Sequence, residues 1–121
     1  MKKIMIVDDQ LEIRELVGIT LSIGDYSIIK ETNGESAVET AAKEKPDLII
    51  MDVMMPGGID GLETTRLIRK NMELQNTKII MLTAKGQKID IEAGYAAGAD
   101  SYFIKPFSPL DLLNKVEEVL G

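Results

Sequence analysis

Five short apolar runs punctuate the chain: Ile4 to Val7, Tyr26 to Ile29, Leu48 to Met51, Ile79 to Leu82 and Tyr102 to Ile104. Each is too short for a helix and rich in Ile, Val or aromatic residues, so each predicts a buried strand. Segments between them carry helical spacing, as in Ile13, Leu16, Val17, Thr20 and Leu21, or Leu112, Leu113, Val116, Val119 and Leu120. Start signals agree with this periodicity. Asp9 with Glu12 and Asp60 with Glu63 have capping-box spacing, Asn33 opens the second helix, and Ser108 before Pro109 opens the last. The fourth helical segment, Lys85 to Ala97, contains Gly86 and Gly94 and has a weak apolar face, so its edges are ill-defined.

Strands that are apolar on both faces and alternate with helices predict a parallel sheet with helices on both sides, joined by right-handed crossovers. The expected class is α/β, a doubly wound, three-layer domain spanning residues 1–121. Ligands in such sheets bind beyond the carboxyl ends of the strands. The residues that follow the apolar runs are Asp8 and Asp9, then Asp52, Thr83 and Lys105. Singly, each is an ordinary strand-end residue. Together they place three carboxylates, a hydroxyl and an ammonium on one edge of the sheet.

Composition narrows the chemistry. Cysteine and histidine are absent, which excludes disulfides, thiolate catalysis, sulfur-ligated metals and histidine bases. With 20 Asp and Glu against 14 Lys and Arg, the field opposes nucleic acid and anionic membranes, so neither is an expected direct partner. The apolar run behind Lys2 and Lys3 ends at Asp8, too early for a leader, and no run is long enough for a bilayer; a cytoplasmic location is expected. Three converging carboxylates repel one another and call for a cation, and hard oxygen donors select Mg²⁺ or Mn²⁺. One divalent ion and Lys105 balance the three negative charges. Asp52 can then attack phosphorus as a nucleophile, Thr83 can donate to a phosphoryl oxygen, and Pro106 biases Lys105 toward extended backbone.

At these residues the sequence resembles the response-regulator receiver family, through Ile4-Met5-Ile6-Val7-Asp8-Asp9, Asp52-Val53-Met54-Met55-Pro56, Leu82-Thr83-Ala84 and Lys105-Pro106-Phe107. The resemblance implies a flavodoxin-like (βα)5 sandwich with strand order 2-1-3-4-5 and a cis bond between Lys105 and Pro106. It implies a Mg²⁺ or Mn²⁺ site formed by Asp8, Asp9, Asp52 and the carbonyl of Met54, Asp9 being the more direct ligand of the acidic pair. Asp52 would be phosphorylated by a sensor histidine kinase or a histidine phosphotransfer protein, the domain assisting gain and loss of its own phosphoryl group without being an enzyme. Thr83 and Tyr102 would then switch the surface of the fourth helix, fifth strand and fifth helix toward a downstream effector protein. Relatives often pair through that face when phosphorylated, and Asp100 and Lys115 lie where a homodimer would form its contacts.

The chain departs from the family at one place. The loop Pro56-Gly57-Gly58-Ile59-Asp60-Gly61 has one residue more than usual, an extra glycine that predicts a looser loop beside the acceptor. Met54 and Lys85 occupy positions that line the approach of water to the phosphoryl group in relatives, and an apolar Met54 should hinder that water. An aspartyl-phosphate hydrolase would need a second Asp two residues after the nucleophile, where Met54 stands. A nucleotide or flavin binder would need a glycine-rich phosphate loop in place of the acidic turn after the first strand. The remaining alternative is the regulatory part of a DNA-binding transcription factor; the end after the fifth helix favours a stand-alone regulator over it.

Overall fold

The computed structural model describes residues 1–121. Its elements run β1 (Lys2–Val7), α1 (Leu11–Leu21), β2 (Tyr26–Glu31), α2 (Gly34–Glu44), β3 (Leu48–Met51), α3 (Gly61–Lys70), a 3-10 turn (Met72–Leu74), β4 (Lys78–Thr83), α4 (Lys88–Ala97), β5 (Ser101–Ile104) and α5 (Pro109–Leu120). All strand pairs are parallel, and the sheet order is β2-β1-β3-β4-β5, as the resemblance implies.

Successive strand side chains point to opposite faces, and the apolar runs therefore feed two cores. Met5, Val7, Ile49, Met51, Ile79 and Met81 meet Ala37, Ala41 and Ile68 of α2 and α3. On the other face Ile4, Ile6, Leu48, Ile50, Ile80 and Leu82 meet α1 and α5 through Val17, Leu21, Leu112 and Val116. Burying one such side chain is worth roughly 1.5–3 kcal/mol, so the inner strands β1, β3 and β4 contribute a large share of the core's stability. The edge strands differ from the sequence expectation. Residues 26–29 of β2 and Tyr102 and Phe103 of β5 are only half-buried, because an edge strand has a neighbour on one side alone.

Caps explain where the helices begin. Asn33, Asp60 and Ser108 each accept a backbone N–H from the residue three positions on, as expected. The predicted cap at Asp9 is not there: α1 starts at Leu11 behind Gln10, and the Gln10 N–H is held by the carboxylate of Asp8 at 2.9 Å. Asp9 is left free to face the cluster described below. The fourth helix is shorter than the segment Lys85 to Ala97, since Gly86 stays in the loop; the Gln87 N–H donates to Asp90 at its start. At the far end of the sheet, Arg69 of α3 donates to the carbonyls of Gly98, Leu74 and Thr77 and pairs with Asp100 at 2.8 Å, fastening α3 to the turns that enter β4 and β5.

Candidate functional site

Register decides which residues share the carboxyl edge. Val7 lies opposite Met51, Met51 opposite Met81, and Thr83 opposite Ile104. The residues just beyond those pairs are tied across the sheet: the Asp52 N–H donates to the Val7 carbonyl at 2.9 Å and the Lys105 N–H to the Thr83 carbonyl at 2.8 Å. Asp8, Asp9, Asp52, Thr83 and Lys105, distant in sequence, thus gather at one end of the fold. Together with Met54 and Tyr102 they border a cavity of about 560 Å³, apart from the buried Asp8, which does not line it.

The carboxylates of Asp8, Asp9 and Asp52 each offer an oxygen within 4.8 Å of the others. Asp8 and Asp52 are buried, 2% and 4% exposed, whereas Asp9 faces solvent. Lys105 Nζ stands 2.9 Å from Asp8 Oδ2 and 3.7 Å from Asp52 Oδ2. One ammonium against three carboxylates, two of them buried, leaves net negative charge at the site. Burial, with Asp8 adding to it, pushes the Asp52 carboxyl up from 3.8 to about 6; Lys105 and the Met54 N–H oppose the rise, and Asp9 adds to it least. The Met54 N–H reaches Asp52 Oδ1 at 3.3 Å. Such a set, all oxygen and in electrostatic deficit, fits a hard divalent cation.

Thr83 is fully buried, and its hydroxyl accepts the Lys85 N–H at 3.3 Å. The half-buried ring of Tyr102 borders the same cavity, and its hydroxyl donates to the Lys85 carbonyl at 2.8 Å. Burial raises the Tyr102 phenol above 10, helped by Asp90 and then Asp52. The Lys105–Pro106 bond is cis.

The pattern that defines the response regulator receiver domain matches residues 4–117. The chain belongs to that family. It is 42% identical to the transcriptional regulatory protein ResD of Bacillus subtilis over 98% of its own length and 48% of that protein's. It therefore spans about half the length of that curated relative. The crystal structure of a putative response regulator from Chloroflexus aurantiacus superposes with a TM-score of 0.93 at 34% identity, covering 98% of this chain and 97% of the other. The Mn²⁺-bound form of response regulator Rcp1 superposes with a TM-score of 0.82 at 26% identity, covering 98% and 91%. As a receiver domain the chain shares the fold of these solved relatives, and its own strand order is 2-1-3-4-5 with an acidic cluster of Asp8, Asp9 and Asp52.

Other residues of this receiver shape the site without having been singled out from sequence. Gln10 holds Asp8 through its backbone and approaches Lys105 at 3.5 Å with its side chain. Arg14, one turn into α1, donates to the Asp8 carbonyl at 2.7 Å and fixes the acidic turn. Its position six residues after Asp8, on a helix that starts beside the pocket, is the signal that could have found it. Asp100 and Lys115, expected at a dimer contact, are engaged within the chain, with Arg69 and Glu118 respectively. In the loop with the extra glycine Gly57 takes a φ of +88°, and the Ile59 N–H is held by Glu35 at 3.0 Å.

Proposed function

We propose that residues 1–121 act as one receiver unit in which Asp52 takes a phosphoryl group from a phosphohistidine of a sensor histidine kinase or a histidine phosphotransfer protein. The observation that carries this reading is Asp52 itself: 4% exposed, at the end of an inner strand, with Asp8, Asp9, Thr83 and Lys105 around its carboxylate. At neutral pH a carboxyl at about 6 is mostly ionised, so an oxygen lone pair is available to attack phosphorus. The new O–P bond forms as the P–N bond to the donor histidine breaks, and the departing imidazole keeps the electron pair and takes up a proton from solvent. Lys105 Nζ, between Asp8 and Asp52, and the Thr83 hydroxyl offer hydrogen bonds to phosphoryl oxygens as they gain charge.

Asp8, Asp9, Asp52 and the Met54 carbonyl would hold Mg²⁺ or Mn²⁺, and a Mn²⁺-bound relative supports that choice. When bound, the ion supplies charge neutralisation for the phosphoryl oxygens and for the three carboxylates. The domain assists its own phosphorylation and dephosphorylation as a signalling module, and is not an enzyme acting on small molecules. Thr83 and Tyr102 relay the phosphorylated state to the face of α4, β5 and α5, where an effector protein or a second copy would read it. Mass spectrometry after incubation with acetyl phosphate and Mg²⁺ tests the core of the reading. One added phosphoryl group that is lost in Asp52→Ala supports it, and equal loading of that variant overturns it.

A second reading concerns context. ResD is a transcriptional regulatory protein about twice as long as this chain, which favours residues 1–121 as the regulatory part of a DNA-binding regulator. The length of the protein detected in cells by an antibody to this domain distinguishes the two.

A further inference from the structure

We propose that Glu35, on the first turn of α2, is a positioning residue for the metal-binding half of the acceptor pocket. It acts by holding the loop that carries Met54, and the inference rests on the functional reading above. The loop leaves β3 at Asp52 and closes where the Gly61 N–H donates to the Val53 carbonyl at 2.9 Å. Between those points lie Met54, whose carbonyl is the expected metal ligand, and the extra glycine. One more residue adds backbone freedom, and glycine adds most. Glu35 opposes that freedom from outside the loop: its Oε2 accepts the Ile59 N–H at 3.0 Å.

Gly58 makes this contact possible. A Cβ at Gly58 would lie 2.6 Å from Glu35 Oε1 and 2.7 Å from Oε2, so only glycine lets the carboxylate lie against the loop. The carboxylate is the far end of a flexible, exposed side chain, and a methyl group at position 58 would push it aside without disturbing the core. The longer loop and its tether therefore go together: one of the loop's two adjacent glycines, Gly58, admits the group that restrains it.

A hydrogen bond of this kind is worth about a three- to fivefold change in an equilibrium. Binding of Mn²⁺, followed by electron paramagnetic resonance of the free ion, is the direct readout. Expected are affinities about three- to fivefold weaker in Glu35→Ala and in Gly58→Ala, and no further loss in the double variant, because each removes the same contact. Glu35→Gln keeps an acceptor oxygen and should bind within about twofold of wild type. Melting temperatures without metal serve as the structural control. Wild-type affinity in Glu35→Ala overturns the inference alone, as does equal weakening in Glu35→Gln, which would assign the effect to charge. Wild-type protein that binds no Mn²⁺ overturns the functional reading and this inference with it.

Discussion

Asp52→Asn should make the metal-free protein more stable, and by an amount that depends on pH. The Asp52 carboxyl rises from 3.8 to about 6 on folding, a difference of about 2, and each step of one in pKa corresponds to about 1.36 kcal/mol, giving up to about 3 kcal/mol. The sign follows from which state binds the proton. Below about pH 4 the group is protonated in both folded and unfolded chains, and the substitution is nearly neutral. Between about pH 4 and 6 the folded chain holds a proton that the unfolded chain has lost, so wild-type stability falls as pH rises. Above about pH 7 both states are ionised and the folded protein carries the full penalty of a buried carboxylate beside Asp8. Urea unfolding with a chelator at pH 4, 5, 6 and 8 measures the gap directly. It should grow from near zero to about 2–3 kcal/mol and then level off. Adding Mg²⁺ at pH 8 should stabilise the wild type more than the variant and shrink the gap. A gap that is flat across pH, or a wild type more stable than Asp52→Asn at pH 8 without metal, refutes the electrostatic account of the pocket.

Three further outcomes follow. Lys105→Met removes the only ammonium beside Asp8 and Asp52, so it should destabilise the protein more at pH 8 than at pH 5 and reduce acetyl phosphate loading at least tenfold; urea unfolding and mass spectrometry read the two effects. Met54→Asn replaces an exposed apolar side chain at the pocket edge with one that can orient water, and should speed loss of the phosphoryl group roughly threefold or more, a change of about 0.7 kcal/mol in the barrier, followed by mass over time. Arg69→Ala leaves the carbonyls of Gly98, Leu74 and Thr77 without their donor and should lower stability by about 2–4 kcal/mol while the affinity for Mn²⁺ stays unchanged, because that clamp lies at the opposite end of the sheet.

Most of the fold was legible because it depends on periodicity. Runs such as Leu48 to Met51 are apolar at every position and wholly buried, and they predict inner strands with little ambiguity. Edge strands were less legible: Tyr26 to Ile29 reads as a buried run in spite of Ser27, yet it is half-buried, and exposure depends on neighbours that a local pattern does not encode. At the site, the strand-end residues Asp8, Asp52, Thr83 and Lys105 were readable from position alone, while the strand order came from resemblance. Asp9 was misread as a cap because the same residue type serves both ends, and only the contact between the Asp8 carboxylate and the Gln10 N–H distinguishes them. Glu35 was not legible, since it acts on backbone across a tertiary contact with no motif of its own, while the one signal for Arg14 was its place six residues after Asp8.

The order of strands in the sheet also divides the labour of the site. Asp52 and Thr83 follow or end inner strands whose side chains are packed on both faces, so the backbone that carries the acceptor and its hydroxyl neighbour is firmly held. Tyr102 stands on the edge strand β5, half-buried, and its one hydrogen bond reaches an exposed loop carbonyl at Lys85. A net gain of about 1 kcal/mol for such a bond is small enough for a new charge on Asp52 to alter. The same Lys85 donates its N–H to the Thr83 hydroxyl, so any movement of Thr83 toward a phosphoryl oxygen pulls on the residue that anchors Tyr102. Rigid chemistry on the inner strands and a weakly held aromatic at the edge, joined through the backbone of one loop residue, provide the arrangement that the proposed switch requires.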